Sequence, residues 1–202
     1  MLTAADIIPD ISAGPLAEWA AVAPWRITAR AEEIVRSLIA GLPAADYAVA
    51  GDVACHRTAR IEPGATLKGP VIVGPGCFIA AHALLRGGVW LERECSIGPG
   101  CEVKSSLLFA AARLAHFNFV GDSLIGRDAN FEAGSIIANT RNEREGTVHV
   151  RFGGAVHDTG AAKFGAIVGP GARIGANAVL APGTVLPAGA VVGRLALVDQ
   201  AG

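Results

Sequence analysis

A chain of 202 residues is long enough for one well-buried domain with a small appendage. Its make-up, 51% hydrophobic but only 5% aromatic with 26 glycines and 11 prolines, favours short strands and tight turns over a helical core. A formal charge of −1 with no long basic run excludes an electrostatic nucleic-acid binder. The start, MLTAADIIPD, has no basic segment leading into an apolar one, and no apolar stretch approaches the roughly 20 residues of a membrane helix. The expectation is a soluble, cytoplasmic protein.

Residues 1–45 read as a helical segment distinct from residues 46–202. Pro15 to Val22 can form a short helix. After Pro24, the segment WRITARAEEIVRSLIAGLP sets Ile27, Ala31, Ile34, Val35, Leu38, Ile39 and Leu42 along one helical stripe, and Gly41 and Pro43 stop it. Too short to be a domain, this stretch is expected to pack on the body that follows or to cap its end.

From Val49 an aliphatic residue recurs every six places, through Cys55, Ile61, Leu67 and Val73 to Val103. The series resumes after a slip of five at Leu108, Leu114 and Val120, again at Ile125, Phe131 and Ile137, and returns from Val168 to Val192. A strand alternates with period two and a helix repeats at 3.6, so neither explains these rows; a sustained period of six is the signature of a hexapeptide β-helix. Each hexad supplies one short strand and one corner, and the aliphatic residues bury themselves by stacking on their equivalents one coil away. The predicted fold is an all-β solenoid of about seven coils, near Val49 to Val192, rising roughly 4.8 Å per coil. Cys77, Cys95 and Cys101 each sit four places after an aliphatic position, where other repeats carry Ala, Thr or Val. They read as small buried fillers, and with Cys55 they show no C-x-x-C spacing for zinc or redox chemistry.

Residues 139–166 interrupt the repeat with a polar stretch in which TVHVRF-GG-AVHDT predicts a hairpin turning at Gly153-Gly154. An excursion of this length from a rigid solenoid points to function. His149 and His157 within it, like His56 and His82 elsewhere, read as solvated surface histidines. The polar residues that stand out are His116, Asn130 and Asn139, displayed on the apolar, glycine-punctuated stretch Leu114–Asn139 away from the inward-repeating positions. Arg86 and Lys104 each follow an inward residue by one and lie three hexads apart, so they fall at one position of successive coils, close enough for both to reach one dianion. Two unpaired cations there would repel each other and favour an anion; alternatively each pairs with an acid such as Glu92 or Glu102.

The blocks LRGG at 85–88, EVKSS at 102–106, AHFNFVGD at 115–122, NFEAGS at 130–135 and AN at 138–139 resemble the acetyltransferase domain of the bifunctional N-acetylglucosamine-1-phosphate uridyltransferases. The loop and its sequel, through KFGAIVG and IGANAVLAPGTVL, look more like the related sugar-1-phosphate nucleotidylyltransferases with amino-sugar-phosphate acetyltransferase activity. The resemblance covers about residues 60–195 and does not extend to a nucleotidyltransferase half. It implies a left-handed parallel β-helix, a homotrimer, acetyl-CoA as co-substrate bound between neighbouring subunits, an amino-sugar phosphate as acceptor, and no metal. It further implies His116 as catalytic base with Glu102 close to it. Arg86 and Lys104 would hold the sugar phosphate, Phe119 and Asn130 would contact the substrate, and Asn139, Thr140 and Lys163 would lie at the acetyl-CoA site. Phe119 stands where the family has a tyrosine, and Thr140 and Glu145 replace a tyrosine and a lysine, changes that can shift specificity or weaken catalysis. Two other classes remain open: a non-catalytic trimeric hexapeptide binding or assembly protein, and a β-helix carbonic anhydrase, which would need three converging histidines.

Overall fold

Successive hexads wind into a parallel β-helix in the computed structural model, which describes residues 1–143 and 145–201. Each coil contributes one short strand to each of three flat faces. Face I runs from Val53–His56 through Val71–Val73, Leu124–Ile125 and Ala166–Val168 to Thr184–Leu186. Face II is a seven-stranded sheet from Arg60–Ile61 to Val191–Val192. Face III runs from Thr66–Lys68 through Phe119–Gly121 to Leu197–Val198. The longer strands Leu84–Leu91 and Glu102–Leu108 cross the corner from face III to face I and join these two faces into one 13-stranded sheet.

The inward hexad residues form the core: Val73, Leu85, Ile97, Val120, Ile125 and Phe131 are all fully buried in one cluster, and Cys77, Cys95 and Cys101 fill it as expected. Each such aliphatic side chain contributes about 1.5–3 kcal/mol on burial. Strand register holds identical positions in line, with Leu114 opposite Ile97 on one side and Phe131 on the other. The two slips of five fall in one place, the corner from face III to face I, where Ser105 and Asp122 each turn the chain at positive φ (47° for both). Two glycines, Gly87 and Gly88, do the same job one coil earlier, within a bulge of the sheet. The shortened corner is closed by serines. Ser106 Oγ donates to the Lys104 carbonyl and accepts from Ser123 N–H, and Ser123 Oγ donates to the Gly121 carbonyl and accepts from Ala166 N–H.

Three expectations need correction. Val49 is not the first inward residue: it is 51% exposed, on a strand that pairs antiparallel with Val53–His56 after a turn at Gly51. The single helix expected after Pro24 is two, α1 (Pro24–Thr28) and α2 (Ala31–Ala40). Nor does the N-terminal segment cap an end. It lies along the outside of face I, because the outward residues there, Ala54, Ile72, Trp90, Leu107, Leu124 and Ile167, are apolar and demand a cover. Leu2, Ile8, Ile11, Leu16, Trp25 and Ile34 supply it and make a second core.

The insertion leaves after Asn139 and returns at Gly165 in register, since Gly165 N–H donates to the Asp122 carbonyl. Its hairpin pairs His149–Phe152 with Ala155–Asp158 and turns at Gly153 and Gly154, both at positive φ. Val148, Val150 and Phe164 extend the second core, and Phe164 meets Trp25 edge to face at 6.0 Å. Among the described residues the second core draws on face I and not on faces II or III. No helix among the described residues is long and apolar enough to cross a membrane.

Candidate active site

Charged and amide side chains stack where face III turns into face I. Arg86 lies opposite Lys104 in register, and Phe119 lies opposite Glu102. Glu102 accepts from Arg86 through Nε at 2.7 Å and Nη2 at 2.6 Å. Lys104 Nζ donates to both oxygens of Asp122, at 3.1 and 2.9 Å, and Asn139 Nδ2 donates to the same carboxylate. The two cations are therefore not bare. The alternative of acidic partners holds, with Glu102 and Asp122 in that role, and mutual repulsion of empty-site cations is not the force that would draw in an anion.

The pairs leave donors to spare. A guanidinium has five N–H groups and an ammonium three; the Nη1 of Arg86 takes no part in the Glu102 pair and one N–H of Lys104 lies outside the Asp122 pair. The Phe119 ring and the Asn139 amide both crowd Gly121, each within 3 Å of where a Cβ would stand, so glycine leaves room for both side chains. Arg86, Glu102, Lys104, Phe119 and Asn139 thus come together.

His116 lies on the corner from face II to face III, three residues before Phe119, and its side chain is exposed. Its backbone is held tightly. Gly134 N–H donates to the His116 carbonyl at 2.9 Å and Phe117 N–H to the Pro99 carbonyl at 3.0 Å. Phe117 turns at φ 52° and lays its ring over Gly100, where a Cβ would come within 2.5 Å of it. Beneath, Asn118 is 2% exposed: its Nδ2 donates to the Glu132 and Ser135 carbonyls and to Ser135 Oγ, and Cys101 Sγ donates to its Oδ1. The result is a rigid stage for a free imidazole. Among the described residues no side chain hydrogen-bonds His116, and Glu102, expected to orient it, is engaged by Arg86 instead.

Asn130 projects from face II, so within one chain it does not join the face III group. Thr140, Glu145 and Lys163 are exposed in the insertion. Of the other histidines, His56 bonds Thr58 Oγ1 and His157 bonds the Phe152 carbonyl, and among the described residues no three His, Cys, Asp or Glu side chains could hold a metal ion. Two polar positions that hold these corners together went unread in the sequence. Asp122 stands in the column of Asn139, two places after an inward residue, and Asn118 is a polar residue at the hexad place otherwise reserved for small fillers.

No family model matches the chain. Over 99 residues, 49% of this chain, it is 33% identical to the bifunctional protein GlmU of Nitrosospira multiformis, and over 95 residues it is 38% identical to that of Paracidovorax citrulli. The solenoid is similar to GlmU. The match covers 21% and 20% of those two GlmU chains, so this chain spans about a fifth of the length of the curated relatives it matches. Among solved structures, LpxA from Acinetobacter baumannii aligns with 69% of this chain and 53% of its own at 13% identity and a TM-score of 0.45.

Proposed function

We propose that this protein is an acetyl-CoA-dependent N-acetyltransferase of the hexapeptide class whose acceptor is an amino-sugar phosphate. The observation that carries the reading is face III itself, which bears two cations with donors to spare at its corner with face I and an exposed histidine on its rigid corner with face II, in a solenoid similar to GlmU. In this reading Arg86 Nη1 and the remaining Lys104 N–H hold the phosphate while Glu102 and Asp122 keep both cations in place. Asn139, with Thr140 and Lys163 from the insertion, lies against the acetyl-CoA.

The neutral acceptor amine attacks the thioester carbonyl, and His116 takes the proton the nitrogen sheds as the N–C bond forms. The C–S bond then breaks and the CoA thiolate leaves, to be protonated in turn. A neutral imidazole suits this because the nucleophile must lose its proton as it bonds. Phe119, lacking a phenolic hydroxyl, contacts the acceptor through its ring alone.

Asn130 faces away from this group, so a site that uses it takes face III from one copy and face II from another. The homotrimer belongs to the proposal for that reason, and covering face I with the N-terminal segment leaves both required faces open. The test is release of free thiol from acetyl-CoA across a panel of amino-sugar phosphates and their unphosphorylated parents. Turnover with a phosphorylated amino sugar supports the reading; none with any member of the panel overturns it. The absence of the tyrosine hydroxyl at Phe119 favours a second reading, a non-catalytic binding module, in which acetyl-CoA raises the melting temperature without thiol release.

A further inference from the structure

Asp199 and Gln200, which follow the strand Leu197–Val198, tie the insertion to the face I strand Thr184–Leu186. Arg141, two residues after Asn139, turns both ends of its guanidinium to Asp199, with Nη2 at 2.5 Å from Oδ1 and Nη1 at 3.0 Å from Oδ2. Farther along the insertion, Arg151 Nε donates to the Gln200 carbonyl at 2.6 Å. The Gln200 carboxamide then acts as one more peptide unit on face I. Its Nε2 donates to the Val185 carbonyl at 3.0 Å, and its Oε1 accepts from Val185 N–H at 2.8 Å. The Arg141 side chain is only 9% exposed, whereas those of Arg30, Arg36 and Arg194 are more than half exposed in their ion pairs. Its Nε is buried with no hydrogen-bond partner among the described residues, a cost that the two Asp199 bonds offset.

We propose that Asp199 is a positioning residue for acetyl-CoA, holding the base of the insertion through Arg141. The inference rests on the proposed function, which sets Thr140 and Lys163 against that co-substrate. Phe164 N–H donates to the Asn139 carbonyl at 2.9 Å, so the two arms of the insertion meet at its base. Thr140 and Lys163 each stand one residue from this bond and leave it from neighbouring points. Asn139 is itself fixed to Asp122, but Thr140 and Lys163 are exposed. Among the described residues, the next side-chain anchor along the arm that carries Thr140 is Arg141. A buried guanidinium stripped of its carboxylate turns outward to water, and the adjacent Thr140 moves with it. Glu143 also accepts from Arg141, but it belongs to the insertion and cannot anchor it to the solenoid.

Steady-state kinetics of thiol release by the full chain, together with calorimetric titration of acetyl-CoA, tests it. Asp199→Asn keeps the side-chain volume and removes the charge. It should raise KM and Kd for acetyl-CoA by about fivefold to tenfold, the cost of ordering on binding a contact that was held beforehand. The kcat and the KM for the amino-sugar phosphate should stay at wild-type values, a split that general damage would not give. Arg141→Met should do the same, and the double variant should be no worse than either single one, because both break one link. Trypsin should cut faster after Arg151 in Asp199→Asn, reporting the loosened insertion. Asp10→Asn, which breaks a pair touching neither the insertion nor Asp199, should match wild type throughout. If wild type transfers acetyl groups and Asp199→Asn keeps its affinity for acetyl-CoA, the inference is overturned and the proposed function stands. A rise shared equally by acetyl-CoA and the acceptor also overturns it, by marking a general disturbance. If wild type binds acetyl-CoA without transfer, the proposed reaction falls and the Kd comparison decides the inference; if it neither binds nor transfers, both fall.

Discussion

Replacing Asn118 by alanine should loosen the corner that presents His116. The side chain donates through Nδ2 to the Glu132 carbonyl at 2.8 Å, the Ser135 carbonyl at 3.1 Å and Ser135 Oγ at 2.9 Å. Each bond is worth about 0.5–1.5 kcal/mol net, and the empty carboxamide volume adds a cavity cost. The geometry is three-centred and shared, so the sum is taken low, at roughly 2–4 kcal/mol. Urea denaturation would read this as a lower midpoint at unchanged slope. Ser135→Ala, which removes only one of the three acceptors, should cost about 1 kcal/mol. The side-chain NMR resonance of His116 supplies a second readout, since a loosened corner broadens or shifts it while His56, held by Thr58, stays put. A loss below about 0.5 kcal/mol in Asn118→Ala, with the His116 resonance unmoved, would refute the view that this amide holds the corner.

Under the proposed function, His116→Ala should lower the rate of thiol release by roughly 10²–10⁴ with no change in melting temperature, because the exposed imidazole bonds no side chain among the described residues. Gly88→Ala should unseat the N-terminal segment: its φ is +89° and a Cβ would lie 2.4 Å from Glu32 N. Gly189→Ala, at φ +69° with nothing within 4 Å, is the matched control, and only Gly88→Ala should quench or shift the fluorescence of buried Trp25. Acid should dissolve the Glu132–Arg194 link. The Arg194 guanidinium and Ala176 N–H hold the Glu132 carboxyl below its ordinary value, so its stabilisation is complete above the unfolded pKa and disappears as pH falls through the lower folded one. The stability difference between wild type and Glu132→Gln should therefore be constant near neutrality and shrink below about pH 4.

The solenoid was legible because its rule is local. A side chain that must point inward every sixth residue leaves its mark on the chain itself, and Leu85, Ile97 and Phe131 are where the period puts them. The cover on face I was harder to see, although Val71-Ile72-Val73 and Val89-Trp90-Leu91 are unbroken apolar runs, the mark of strands buried on both sides. Read only for their period, they reveal the inward residue and hide the outward one. The ion pairs were less legible still. Arg86 and Glu102 are 16 residues apart and Lys104 and Asp122 18, so only the winding makes them neighbours, the second pair across a corner shortened by one residue. His116 and Asn139 stood out because polar groups on an apolar scaffold need a reason, whereas Asn118 was hidden by being buried.

The strap along face I has a consequence for the order in which the molecule can be made. Asp10 reaches across 117 positions of sequence to Arg127, and Trp25 rests on Phe164. During synthesis, at roughly 5–20 residues per second, the first forty residues wait on the order of ten seconds for their partners. Throughout that interval Leu2, Ile8, Ile11 and Trp25 have only one another and the early part of face I, Ala54, Ile72 and Trp90, to pack against, while each completed coil can already rest on the one before it. Winding can run ahead of the strap, so the earliest-made segment is the last to complete its native contacts.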